Sequence, residues 1–128
     1  MDFNQIVYPM ATHIAWVAFL YVLLTIVRAP AVWGFLKDKK ERWAAIEPRI
    51  SANLSNQFEW PLFFHVTCVL LIALGNTDSV QLWLAWIFIA GRFIHSFVQI
   101  LMNNIRLRGL VFTINFLAVL AMWFFLLI

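Results

Sequence analysis

Residues 79–102 read SVQLWLAWIFIAGRFIHSFVQILM. The run is long enough to cross about 30 Å of hydrocarbon as a helix, which takes roughly 20 residues. It nevertheless carries Arg92, His95, Ser96 and Gln99. At about 100° per residue these four, together with Asn103, share one face. Ionisable groups at membrane depth cost about 2.5–3.5 kcal/mol or more unless they are paired or hydrated. A helix that is apolar elsewhere but keeps one hydrophilic stripe therefore belongs in a membrane bundle, with the stripe turned toward another polar surface.

Three further apolar runs flank it. From Phe3 to Val27 no residue is charged. Arg28 is expected to end that span, with 29–36 as a broken or interfacial extension. Residues 37–42, KDKKER, read as a solvated loop, and Trp43 and Pro48 flank the next helix start. The second span runs from about Arg49 to Leu74, and Gly75-Asn76-Thr77-Asp78 is a turn by composition. Such a short turn makes spans two and three antiparallel neighbours. A link at 103–109 precedes the last span, Leu110 to Ile128. The reading is one domain over 1–128: an all-α integral membrane protein, a four-transmembrane-helix bundle with spans of about 3–27, 49–74, 79–102 and 110–128.

Composition agrees. The 128 residues are 64% hydrophobic and 12% charged, where a soluble domain carries about a quarter charged residues. There is too little polar surface to coat a water-soluble globule, so membrane lipid is the expected surroundings. The net charge of +3 is small and gives no basic face for nucleic acid. Cys68 is the single cysteine, so no intrachain disulfide is possible, and a thiol deep in an apolar helix reads as packing. The opening MDFNQ lacks a basic n-region, so the first run is expected to stay as a span. Basic residues gather in the first loop and its flanks (Arg28, Lys37, Lys39, Lys40, Arg42, Arg49) and in the third link (Arg106, Arg108). Loops one and three are therefore expected in the cytoplasm, with both termini outside.

The partner for the third-span stripe is sought on span two. On a continuous helix Arg49, Asn53, Asn56, Trp60 and Phe63 fall on one stripe, with Glu59 at its edge. Glu59 paired with Arg92 or His95 would offset both charges. Such a pair can be purely structural, and Asn, Ser and Gln across an interface act as glue worth about 0.6–2 kcal/mol each. The collected stripe points further. It opens toward Arg49, Arg106 and Arg108, and a basic mouth over a polar cleft suits an anionic, water-soluble ligand with a lipophilic small-molecule partner. His13 and Thr12 look isolated, and an intrahelical contact is expected for them. His65 lies opposite Asn56, which favours packing or an interhelical hydrogen bond. The histidines stand on different spans without metal-ligand spacing. Trp33, Trp43, Trp60, Trp83, Trp86 and Trp123 fit interfacial belts or lipid contact.

The segment Asn56-Gln57-Phe58-Glu59-Trp60-Pro61-Leu62-Phe63-Phe64 resembles the second-helix signature of the MAPEG family, membrane-associated proteins of eicosanoid and glutathione metabolism. Its hallmark is Asn-x-x-Glu followed by Pro and aromatics. Arg92-Phe93-Ile94-His95-Ser96 is similar to the family's third-helix Arg-x-x-His pattern. The resemblance covers Arg49 to the C-terminus and is nearest a bacterial branch, which implies a bacterial inner membrane. It implies a homotrimer with glutathione bound between subunits at the cytoplasmic side. The positions matching those that hold the tripeptide are Asn56, Glu59 and Arg92, with His95 nearby. Arg49, Asn53 and Gln99 complete the expected cofactor-binding set. An arginine at the start of helix four stabilises the glutathione thiolate in the family, which points to Arg106 or Arg108 as catalytic. Two positions depart from the pattern: Ala52 replaces an arginine, and Gln99 stands where a tyrosine often does.

The resemblance leads to a glutathione-dependent transferase or peroxidase acting on lipophilic electrophiles, with glutathione as cosubstrate. A non-catalytic lipid-binding or scaffold trimer of the same fold is the alternative. A small multidrug transporter is disfavoured, because such proteins keep a glutamate on the first helix and have little charge bias between sides.

Overall fold

A computed structural model describes residues 4–34, 40–102 and 104–128, with backbone alone at 30–33 and 40–43. Residues 37–39 of the expected charged loop and Asn103 of the expected stripe lie outside the described residues. The chain is helical: α1 (Val7–Trp33), α2 (Lys40–Asn56), α3 (Trp60–Leu74), α4 (Ser79–Leu101) and α5 (Ile105–Leu127). The helices give four candidate membrane spans, Val7–Ala29, Ala44–Leu74, Ser79–Leu101 and Ile105–Leu127, of which the second is α2 and α3 together.

Helix limits depart from expectation at three places. α1 does not stop at Arg28 but runs on to Trp33. α2 begins at Lys40, so Pro48 lies inside it rather than before it. α5 begins at Ile105, which places Arg106 and Arg108 in its first turn rather than in a link. Asn104 explains the early start. Its side chain accepts a hydrogen bond from the Leu107 backbone N–H at 3.1 Å, satisfying one of the helix's orphan donors.

The interruption between α2 and α3 has a clear cause. Pro61 has no N–H to offer the Gln57 carbonyl, and its ring crowds that carbonyl. The chain makes tighter bonds instead: Gln57 N–H to Leu54 O at 3.1 Å and Phe58 N–H to Ser55 O at 3.1 Å. The two halves of span two then go separate ways. α2 packs on α1 and α4, while α3 packs on α5 and α1. At the far end Gly75 adopts a left-handed φ of 67°, the conformation a helix C-terminus favours for glycine. Asp78 then caps α4 by accepting from Gln81 N–H at 2.9 Å.

The bundle interior has two apolar clusters. One joins Phe64, Cys68 and Leu71 of α3 to Ala85, Phe88 and Ile89 of α4 and to Ala118, Val119 and Met122 of α5. Within it the Phe64 and Phe88 rings stack with centroids 4.2 Å apart. The other joins Leu20 and Leu24 of α1, Ile50 and Leu54 of α2, and Ile100 of α4. A buried polar layer separates them. The outside is apolar: Phe19, Val22, Ile26, Leu117, Leu120 and Phe124 are all exposed. Surface of this kind has to be covered by hydrocarbon or by a further protein chain.

α4 and α5 pack most extensively, and a single glycine permits it. A Cβ on Gly91 would collide with the buried Asn115 side chain, whereas one on Gly109 would meet nothing. Gly91→Val is therefore expected to destabilise the folded protein by about 1–3 kcal/mol, with Gly109→Ala neutral. Thermal unfolding in detergent checks both, and equal melting temperatures would refute the close approach.

Candidate functional site

The polar layer is a directed hydrogen-bond network centred on Gln57. This residue sits in the break between α2 and α3, not on either helix. Its Oε1 accepts from Arg92 Nε at 3.2 Å and from His13 Nε2 at 2.9 Å. Its Nε2 donates to Asn53 Oδ1 at 3.2 Å and to Ser96 Oγ at 3.4 Å. Ser96 donates in turn to Asn53 Oδ1 at 2.8 Å and accepts from Trp16 Nε1 at 2.9 Å. Asn53 Nδ2 and Asn56 Nδ2 both donate to Gln99 Oε1, at 2.9 and 3.1 Å. The network thus links α1, α2 and α4 and ends on Gln99.

The histidine tautomer follows from these bonds. Gln57 Oε1 can only accept, so His13 carries its hydrogen on Nε2. A neutral His13 then has a lone pair on Nδ1, which accepts from His65 Nε2 at 2.8 Å.

Arg92 is 1% exposed and lies about 14 Å along α4 from Leu101 and about 20 Å from Ser79, at 1.5 Å per residue. That is near the middle of the helix. Among the described residues no carboxylate forms an ion pair with it, and the one ion pair joins Arg28 to Glu47 at 2.8 Å, tying α1 to α2. The expected Glu59 pairing with Arg92 or His95 is therefore not made, although Glu59 lies within Coulombic reach of Arg92. Glu59 caps α3 by position without a side-chain cap bond and is exposed. The expectation assumed one continuous helix. The break changes the phase, so Gln57 turns inward and Glu59 outward.

Beside the network lies a cleft of about 430 Å³ lined by Asn56, His95, Gln99, Ile105, Arg108, Gly109 and Phe112. An adjoining space of about 210 Å³ shares Gln99, Ile105 and Arg108 and adds Arg49 and Asn104. Ligand cavities commonly measure roughly 300–1,000 Å³. His95 is buried, and its Nδ1 has no partner among the described residues; Arg92 Nη2, one helical turn away and itself buried, also has none among them. Arg49 donates to the Ile100 carbonyl at 3.5 Å, near the C-terminus of α4. The N-terminus of α5 opens on the same space and adds partial positive charge. Arginines in a helix's first turn oppose its dipole, so Arg106 and Arg108 are not there for helix stability.

Of the residues expected from sequence, Asn56, His95, Gln99 and Arg108 line the cleft, and Arg49 lines the adjoining space. Asn53 and Arg92 stand behind in the buried network. Glu59 and Arg106 line neither space. Sequence reasoning missed Gln57, His13 and Trp16. His13 was expected to make an intrahelical contact; it bridges to span two instead. A signal for Gln57 was present in Pro61, four residues on. Thr12 does bond within its helix, to Tyr8 O at 2.8 Å, and His65 does make an interhelical bond. Two of the tryptophans also bond between helices: Trp60 Nε1 donates to Asn115 O at 3.2 Å, and Trp123 Nε1 to Thr67 Oγ1 at 2.9 Å.

The model of the MAPEG family matches residues 6–128. The chain belongs to the MAPEG family. No curated protein and no solved structure matches it. Membership over nearly the whole chain makes this an integral membrane protein of the family associated with glutathione and eicosanoid metabolism. In this MAPEG protein the Asn-x-x-Glu motif, Asn56 to Glu59, falls on the helix break itself.

The network allots unequal weight to its two asparagines. Asn53→Leu would strip partners from Gln57, Ser96 and Gln99 and is expected to cost about 1–3 kcal/mol. Asn56→Leu leaves Gln99 bonded to Asn53 and is expected to cost about 0.6 kcal/mol or less. Unfolding titrations in mixed micelles compare them, and equal losses would contradict the network.

Proposed function

We propose that this protein is a glutathione-dependent transferase or peroxidase acting on lipophilic electrophiles. In this reading it works as a homotrimer in the bacterial inner membrane, with loops one and three in the cytoplasm. The observation that carries it is the cleft that joins Arg108 and the α5 N-terminus to Asn56, His95 and Gln99, with Arg49 alongside. Glutathione presents carboxylates, amides and a thiol. Arg49 suits a carboxylate, because a guanidinium offers paired donors, while Arg92 stands behind in the buried network. Asn56, His95 and Gln99 suit the peptide groups.

Arg108 is the better candidate of the two arginines for the thiol, since Arg106 does not face the cleft. A guanidinium near sulfur favours the thiolate, which is the nucleophile. The thiol proton passes to water. The thiolate forms a sulfur–carbon bond as the electrophile's leaving group departs with its electron pair. Glu59, exposed within a span, needs cover, and a neighbouring subunit's cleft would use its carboxylate. A second, apolar groove of about 280 Å³ supports a lipophilic partner. It is lined by Trp16, Phe19, Leu20, Leu23, Ser96, Phe97, Ile100 and Leu101, facing the hydrocarbon layer. The same groove favours the alternative, a non-catalytic lipid-binding trimer.

Calorimetry with millimolar glutathione and turnover of a chloro-dinitrobenzene separate these readings. Heat of binding with turnover is expected, with kcat falling about 10²-fold in Arg108→Gln and nearly unchanged in Arg106→Gln. Intact trimers that give no heat would overturn glutathione use. Binding without turnover of any electrophile would leave the non-catalytic trimer.

A further inference from the structure

The cleft has two unlike walls. Asn56, His95 and Gln99 make one of them polar, while Ile105, Arg108, Gly109 and Phe112 come from α5. Spacings of three and four residues put those four on one face of the helix, and Arg108 is its only polar member. The apolar groove between α1 and α4 shares no lining residue with the cleft. Within one subunit, an electrophile that stayed in the groove would not meet a thiol held at Arg108, so its reacting carbon has to fit the cleft. Gly109 leaves room for it. Of the four glycines, Gly34 and Gly75 take a left-handed φ, and Gly91 makes way for Asn115. Gly109 has neither reason: its φ is not left-handed, and a Cβ there would meet no described atom within 4 Å. Glycine is also the poorest helix former after proline. The bare position therefore opens the α5 wall between Arg108 and Phe112 without serving the fold of the chain.

We propose that Gly109 is a specificity-determining residue, whose missing side chain admits the reacting end of a flat, conjugated electrophile beside Arg108. Phe112, one turn further along α5, supplies the other half of the subsite. It is 41% exposed, and its ring centroid stands 6.3 Å from that of His95, which leaves a face for an offset-stacked ring. The tripeptide then occupies the polar wall and the electrophile the α5 wall, with the sulfur at their border. The proposal rests on the functional reading above, with the thiol at Arg108.

Gly109→Ala and Gly109→Leu are compared with the wild type on chloro-dinitrobenzene and on chloro-dinitronaphthalene. Both react alike: the glutathione thiolate bonds to the ring carbon, chloride leaves with the electron pair, and the thiol proton goes to water. They differ by one fused ring. The kcat/KM ratio of the larger to the smaller is expected to fall about tenfold or more in Gly109→Leu, the low end of what one methylene is worth in a pocket, and by less in Gly109→Ala. The glutathione dissociation constant should move less than that ratio, and melting temperature and oligomeric state should stay as in the wild type. An unchanged ratio in Gly109→Leu beside an active wild type overturns the proposal. So does a loss confined to glutathione affinity, which would put Gly109 under the peptide, or a changed oligomeric state, which would make it a subunit contact. Should Gly109→Leu fail to fold, Gly109→Ala decides by the same ratio, and no fall there overturns the proposal. A wild type that turns over neither electrophile sinks the functional reading, and this proposal with it.

Discussion

A guanidinium buried midway along a membrane helix has to be solvated by the protein, and here an amide rather than a carboxylate takes the leading part. Arg92 leans on Gln57 Oε1, and everything near that oxygen is arranged to keep it an acceptor. His13 donates to it, and Asn53 and Ser96 occupy the amide's other end. Replacing water with fixed dipoles satisfies part of the charge without neutralising it. The result is a buried cation that is solvated by fixed dipoles but not neutralised. This explains why the bundle has two apolar clusters rather than one: the polar layer must lie between them, at the depth where Arg92 stands.

The helix break follows from the same need. A continuous span two would present one face to α4, and Gln57 would point elsewhere. Pro61 ends the α2 hydrogen-bond ladder, and the three residues before α3 rotate Gln57 inward. The break also releases α3 to pack on α5 while α2 stays with α4. One proline thus sets the network, the direction of the lower half of the span and the outward position of Glu59. The family motif that spans this break is, in structural terms, a change of helix phase.

Much of this was legible in the sequence. Long uncharged runs announced helices of membrane length, and the Arg92-to-Gln99 stripe announced a buried polar face. What was not legible has physical reasons. The helical wheel assumes an unbroken screw, so it chose Glu59 over Gln57. A solitary polar residue such as His13 carries no information about its partner on another span. Arg106 and Arg108 read as loop residues because arginine opposes a helix N-terminus, while the Asn104 cap that outweighs this is a single side chain. Apolar residues facing lipid and those facing another subunit have the same composition, so the stripe residues could be named but the outer surface could not be divided.

The interaction at Arg92 is tested most directly by an experimental structure of the protein in a lipid nanodisc, at a resolution that separates side-chain amides from carboxylates. The expected result is Arg92 Nε on Gln57, with Glu59 directed away from its own subunit's polar layer. Density joining Arg92 to Glu59 of the same chain, with span two unbroken through Pro61, would contradict it.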